Sequence, residues 1–376
     1  MRTDVERDAA PATGDDAAAD GAVHGLLLRL AGHLPDRLLA DARDRLAGGR
    51  RAEAARMVAF EALAQPLPLA PDEEDLLRAE LTADPSGHDL AAALAEVRGE
   101  RDPGPWLFQP ATARAGGDPV VARPLDLTGA APDDLDPVDR ALVAFARATP
   151  GVRAVWRAWR MPAGSHAWHP PVRVAALAVA HTTGGLPAIE AGARAAMARA
   201  GDAAGQAEVC PAGLDSPYYQ TLARCCGALL WAADPPQPIT VAPVFDGADP
   251  DRGPWFAPGR PVVAASGERD RLLAALRAAP VVIWTSTPMV DVFAPQRGAV
   301  VPRHLRSDGR WVWTEAAAYY LEHYGLVPHP QLVAHLNRPG PRPPDEVALH
   351  RVMVLMFRHG PDSAAWYLPG PVVAPA

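Results

Sequence analysis

At 376 residues, 49% of them hydrophobic, the chain has the length for two or three domains and the apolar content for a substantial core, while a formal net charge of −8 argues against nucleic acid as a partner. All 36 basic residues are arginine, so the chain offers no lysine for a Schiff base, a pyridoxal-phosphate linkage or a Walker A loop. Three cysteines, Cys210, Cys225 and Cys226, are too few for a disulfide framework and fit a reducing cytoplasm.

No segment approaches the roughly 18 uncharged apolar residues of a membrane span. Leu26-Leu27-Leu28 is cut short by Arg29 and His33, so no leader is expected either. Residues 1–20, small and acidic without hydrophobic periodicity, read as a disordered tail. From 21 to 99 every segment reads as helix (23–33, 36–47, 50–64, 71–83 and 86–97), with Pro35, Gly48-Gly49, Pro66, Pro68 and Pro85 as breaks, which predicts a small helical domain. Residues 100–135 are rich in proline, glycine and aspartate and form a linker with short strands expected at 106–108 and 119–122. The next module, 136–234, reads as a helix (137–148), strands at 152–161 and 172–180, a helix (187–200), a strand (207–211) and a helix (216–233). That order is a ferredoxin-like α-β-β-α-β-α segment with an antiparallel hairpin at its centre.

Within this module, Pro150-Gly151-Val152-Arg153-Ala154-Val155 enters a strand, Pro170-Pro171 steps into the run 172–180, and a helix leads to the Glu208-Val209 strand. Residues 137–233 thereby resemble the C-terminal module of enhanced serine sensitivity (SseB) proteins. The resemblance implies a small α+β module and brings no catalytic residues with it.

In the C-terminal module, 235–376, the order strand (239–245), helix (267–278), strand (281–284) predicts a βαβ unit with a parallel pair. Asp308-Gly309 marks a hairpin over 299–313, in which Val312 faces one side of the sheet and Trp311 and Trp313 the other. Thr314 is placed as the N-cap of a helix that Gly325 ends, and helices are expected at 330–336 and 345–357, with 366–376 extended. The fold class is α+β: a helical N-terminal domain, then mixed modules ending in a hairpin and helices.

The densest polar and aromatic cluster is Arg303, His304, Arg306, Arg310, Trp311, Trp313, Tyr319, Tyr320, His323 and Tyr324, around the turn former Asp308. Arginine, tryptophan and tyrosine dominate binding hot spots because they join large apolar area to directed hydrogen bonds, so the exposed members of this cluster are the expected partner face. The competing reading makes the tryptophans and one tyrosine core and the arginines solvated. His166, His169, His304, His323, His329 and His335 match no zinc spacing, no GxSxG elbow surrounds a serine, and Asp246, Asp249 and Asp251 lack the spacing and closing glutamate of a calcium loop. His181-Thr182-Thr183-Gly184-Gly185 reads as an ordinary turn, and Cys225-Cys226 as inert thiols in an apolar run. No metal or cofactor is therefore expected. The leading expectation is a non-enzymatic, cytoplasmic protein-binding or accessory protein. The alternatives are an enzyme using His304, His323, Asp291 and Arg303 at the C-terminal end of the 281–284 strand, and an immunity-like protein that neutralises a toxin.

Overall fold

The structure, a computed structural model, describes residues 14–83, 87–94, 106–111, 123–162, 170–181, 185–249, 253–265, 267–338, 344–359 and 372–373. It is α+β and divides into two compact units, one of residues 1–122 and 127–233, the other of 123–126 and 234–376. The expectations for 119–122, His166, His169 and the last residues outside 372–373 lie outside the described residues, as does the tail up to residue 13.

The first unit begins with α1 (Gly14–Arg29), α2 (Asp36–Ala47), α3 (Arg51–Ala64), α4 (Pro71–Thr82) and α5 (His88–Leu94). Helix thus starts at Gly14 within the stretch expected to be a tail. Asp20 there ties α1 to α3, accepting from Arg51 Nη1 at 2.9 Å. After β1 (Trp106–Gln109) come α6 (Pro137–Ala148), whose N-cap Asp136 accepts from the amides of Val138 and Asp139, then β3 (Val152–Pro162), β4 (Val172–Val179), α7 (Leu186–Arg199), β5 (Gln206–Pro211), α8 (Tyr218–Cys225) and β6 (Ala228–Ala232). The strand β2 (Leu125–Asp126) belongs to the other unit. β3 and β4 pair antiparallel, as expected of the central hairpin, and β4 and β5 run parallel.

The helix expected over 216–233 stops at Cys225 and a strand replaces its second half. A Cβ at Gly227 would stand 2.4 Å from Ala223 O and 2.8 Å from Arg157 O, so only glycine lets the chain turn here and lay β6 against β3. The five N-terminal helices share one core with Phe108, Ala158, Val174, Tyr219 and Ala223, so they pack on the sheet module and form a single body with it.

Arginine fastens this body. Arg160 grips Asp36 with both nitrogens (2.8 and 2.5 Å) and lies 4.2 Å over the Trp106 ring. Arg173 donates to Asp136 (2.8 Å), Asp139 and Asp202 (3.1 Å), and Arg157 to Asp139 (2.6 Å). Arg43, 2% exposed, binds both oxygens of Glu208 (3.0 and 2.7 Å) and the carbonyl of Ala207 (2.9 Å). A planar guanidinium forks onto a carboxylate in a way a point charge does not, which is how an all-arginine chain holds buried pairs.

The second unit contains β2, β7 (Thr240–Val241), the ribbon β8 (Gly247–Asp249) and β9 (Gly253–Trp255), α9 (Gly267–Ala278), β10 (Val281–Ile283), β11 (Met289–Val290), β12 (Ala299–Val301), β13 (Leu305–Ser307), β14 (Trp311–Thr314), α10 (Glu315–Tyr324), α11 (Pro330–Leu336), α12 (Glu346–His359) and β15 (Val372–Val373). Its sheet runs β10-β13-β14-β7-β15. Two expectations change here. The strands of the expected βαβ unit, β7 and β10, are not neighbours, because the β13–β14 hairpin lies between them and β10 takes β13 as an antiparallel partner. The hairpin is also shorter than 299–313: Leu305 pairs with Thr314 and Ser307 with Val312, while 299–301 pairs with 289–290.

Local chemistry accounts for the hairpin and the helix that follows it. Asp308 Oδ1 accepts from the amides of Arg310 (3.0 Å) and Trp311 (2.8 Å), and Gly309 takes φ 87°. Thr314 Oγ1 caps α10 through Ala316 N, and Gly325 ends it at φ 69°. Val312 packs with Val352, Leu355 and Met356 of α12, and Trp313 with Leu272, Leu276 and Leu332 of α9 and α11 on the opposite face.

Candidate functional site

Between β10 and β13 the chain makes an excursion that runs out and back on itself. Val281 pairs with Arg306 and Ile283 with Leu305, Thr285 N donates to His304 Nδ1 at 3.1 Å, and Met289 pairs with Val301. Residues 284–304 therefore form an antiparallel arm, interrupted where Pro288 and Pro302 lack the amide a continuous ladder requires.

The tip of the arm is tied to α10 by a carboxylate. Asp291, fully buried, accepts from Tyr319 OH (2.9 Å), Tyr324 OH (2.5 Å) and Phe293 N (3.0 Å), with Arg297 Nη1 3.7 Å away. Desolvation opposes its ionisation, but the hydrogen bonds from Tyr324, Tyr319 and the amides of Phe293 and Ala294 outweigh that penalty and hold it below the usual aspartate range. Burial and the bond to Asp291 push the Tyr319 phenol up to about 12. Tyr320 OH accepts from Val292 N at 3.2 Å, and Phe293 stacks on Phe256 at 5.4 Å and lies 4.9 Å from Tyr324.

The arm leaves several large apolar side chains open to water. Trp284 is 73% exposed, Val290 and Phe293 49% each, and Val300 40%. A tryptophan this exposed, on an arm whose paired segments carry further open apolar side chains, is unusual for a surface covered only by water.

The residues expected from the sequence to form the partner face are dispersed. Trp313, Tyr319 and Tyr320 are core: Trp313 donates to Leu276 O at 3.1 Å, and the two tyrosines hold the arm. Trp311 stacks on His335, which pairs with Asp308. Arg306 is half-buried and donates to Glu315 (2.8 Å) and to the carbonyls of Arg277 (3.0 Å) and Ala279 (2.6 Å), so it is a fastener of the sheet edge. Arg303 and His304 lie half-buried on the return of the arm, with His304 4.4 Å from the Trp284 ring, whereas Arg310 and His323 are exposed. Replacing Arg306 by alanine is expected to cost about 2 kcal/mol in a denaturant melt, and replacing Arg310 less than about 0.5 kcal/mol.

Of the residues weighed for catalysis, Asp291 spends Oδ1 on Phe293 N and Oδ2 on the Tyr319 and Tyr324 hydroxyls of α10, His304 spends Nδ1 on Thr285, and His323 lies against the Tyr319 ring. A cavity bordered by Phe256, Arg260, Trp313 and Tyr320 has a volume of about 10 Å³, room for one water molecule. Among the described residues no group of three or more His, Cys, Asp or Glu is placed to hold a metal ion, and no helix is long and apolar enough to cross a membrane. Cys210, Cys225 and Cys226 are free thiols, and burial pushes Cys210 and Cys226 up to about 11, far from thiolate character.

The sequence reading missed Trp284, Val290, Phe293 and Val300. The signal was present: large apolar residues recur through a stretch that Pro288, Pro295 and Pro302 keep from forming a regular buried strand. Comparison of the chain with protein-family models, curated proteins and solved structures returned no match.

Proposed function

We propose that the chain is a cytoplasmic, non-enzymatic accessory protein that docks a partner protein on the outer face of the 284–304 arm. The observation that carries this reading is the 73% exposed Trp284, on an arm that also leaves Val290 and Val300 open and whose tip is fixed to α10. Rigid aromatic anchors lose little conformational entropy on binding, and the Asp291 knot supplies the rigidity. The arm's single carboxylate is the buried Asp291, while Arg297 keeps a side chain 48% exposed, so the partner surface that fits it presents apolar side chains flanked by carboxylates. Residues 234–376 balance 13 arginines against 13 acidic residues, so this preference belongs to the arm and not to a general charge of the unit.

Affinity capture from the host lysate tests the proposal with the full chain and a Trp284→Ser/Val290→Ser variant. At equal melting temperature, the variant is expected to retain a partner about tenfold less or worse. Equal retention by both proteins would remove the arm from the account. The toxin-neutralising alternative gives a different outcome, a small basic protein whose capture survives the arm variant.

A further inference from the structure

The core of the first unit holds a second arrangement that the docking reading does not use. His24 of α1, Arg43 of α2, Glu190 of α7 and Glu208 of β5 are each no more than 2% exposed. Arg43 is committed to Glu208. Its Nε lies 3.0 Å from Glu190 Oε1 without hydrogen-bond alignment, and among the described residues neither Glu190 oxygen accepts a hydrogen bond of good geometry. His24 Nε2–H donates to Val209 O at 2.7 Å, which leaves Nδ1 facing Glu190 Oε2 at 3.6 Å. Of the other charged groups around Glu190, Asp44 of α2 pairs with Arg194 of α7 at 2.8 Å, and Glu208 also accepts from Gln220 of α8 at 2.7 Å.

One guanidinium balances one carboxylate, and the remainder is a histidine and a glutamic acid with one proton between them. With that proton the cluster is neutral, whichever of the two atoms carries it. Without it, two carboxylates share one arginine out of reach of water, and with a second proton a cation is stranded. We propose that His24 and Glu190 share a single proton and form an alkali-sensitive latch that joins α1 and α2 to α7 and β5.

Burial pushes Glu190 from 4.5 to about 8, and burial moves His24 from 6.5 down to about 4. The signs follow from proton counts. The folded pair keeps one proton from about pH 4 to about pH 8; the unfolded pair holds one between 4.5 and 6.5 and none above 6.5. Stability from the pair is therefore level between 4.5 and 6.5, falls from 6.5 to about 8, and is level again above.

Thermal melts of the full-length protein from pH 6.5 to 8.5 test the latch. The wild type is expected to lose roughly 5 °C over this range, and Glu190→Gln, with no proton to lose, to remove most of that slope. Glu208→Gln should remove it too, because Arg43 is then free to neutralise an ionised Glu190. A wild-type melting temperature that stays level overturns the latch without any variant, and a slope that persists in whichever variant folds overturns it equally.

Discussion

Arg43→Met is expected to destabilise the first unit by about 3–5 kcal/mol, with a fall in melting temperature on the order of 10 °C. Methionine keeps the apolar stem and fills much of the space, so the loss isolates the guanidinium. Without it, among the described residues, Glu208 keeps only Gln220 as a side-chain donor, and Glu190 loses the one cation within 3.0 Å. A buried charge left without its partner is costly, whereas replacing a whole ionic group by apolar residues is often neutral, so Arg43→Met/Glu208→Leu should recover part of the loss. Guanidinium-induced unfolding followed by circular dichroism measures both variants, and a loss below about 1 kcal/mol for the single change would contradict the structure's placement of Arg43.

Asp291→Ala is expected to release the arm. It strands the hydroxyls of Tyr319 and Tyr324 and the amide of Phe293, and at about 1–3 kcal/mol for each buried group left unmatched, less what the hydroxyls recover by turning to water, the loss is about 3 kcal/mol. The Tyr319 phenol, held up at about 12 by burial and by Asp291, should titrate lower once the carboxylate is gone, which tyrosinate absorbance reads directly. Asp291→Asn keeps an acceptor in the same place and should lose less. Because the folded carboxyl lies below its ordinary range, the stability Asp291 contributes is present above the usual aspartate pKa and is lost as pH falls through the lowered value.

What was legible in the sequence was what neighbouring residues decide among themselves. Asp308-Gly309 makes its turn with amides two and three residues on, Thr314 caps an amide two residues on, and Gly325 supplies a backbone angle that other residues rarely adopt. The buried arginines were illegible because their partners are distant: Arg43 and Glu208 are 165 residues apart, Arg160 and Asp36 124. Nothing local distinguishes Arg43 from the solvated Arg310. The same holds for the tryptophans: Trp284 directly follows β10 and Trp313 lies in β14, yet α9 and α11 cover Trp313, while Trp284 is left at 73% exposure. The run 228–232 read as more helix because the close approach of the β3 backbone that forces Gly227 to end α8 comes from residues 70 positions earlier.

The proposed docking face is tested most directly by placing a photo-crosslinking amino acid at position 284 or position 310 of the full-length protein and irradiating it in the host cell. The account predicts a crosslinked partner from position 284 and none from position 310, on the hairpin turn. Crosslinking from 310 with none from 284 would return the binding face to the hairpin and contradict the arm.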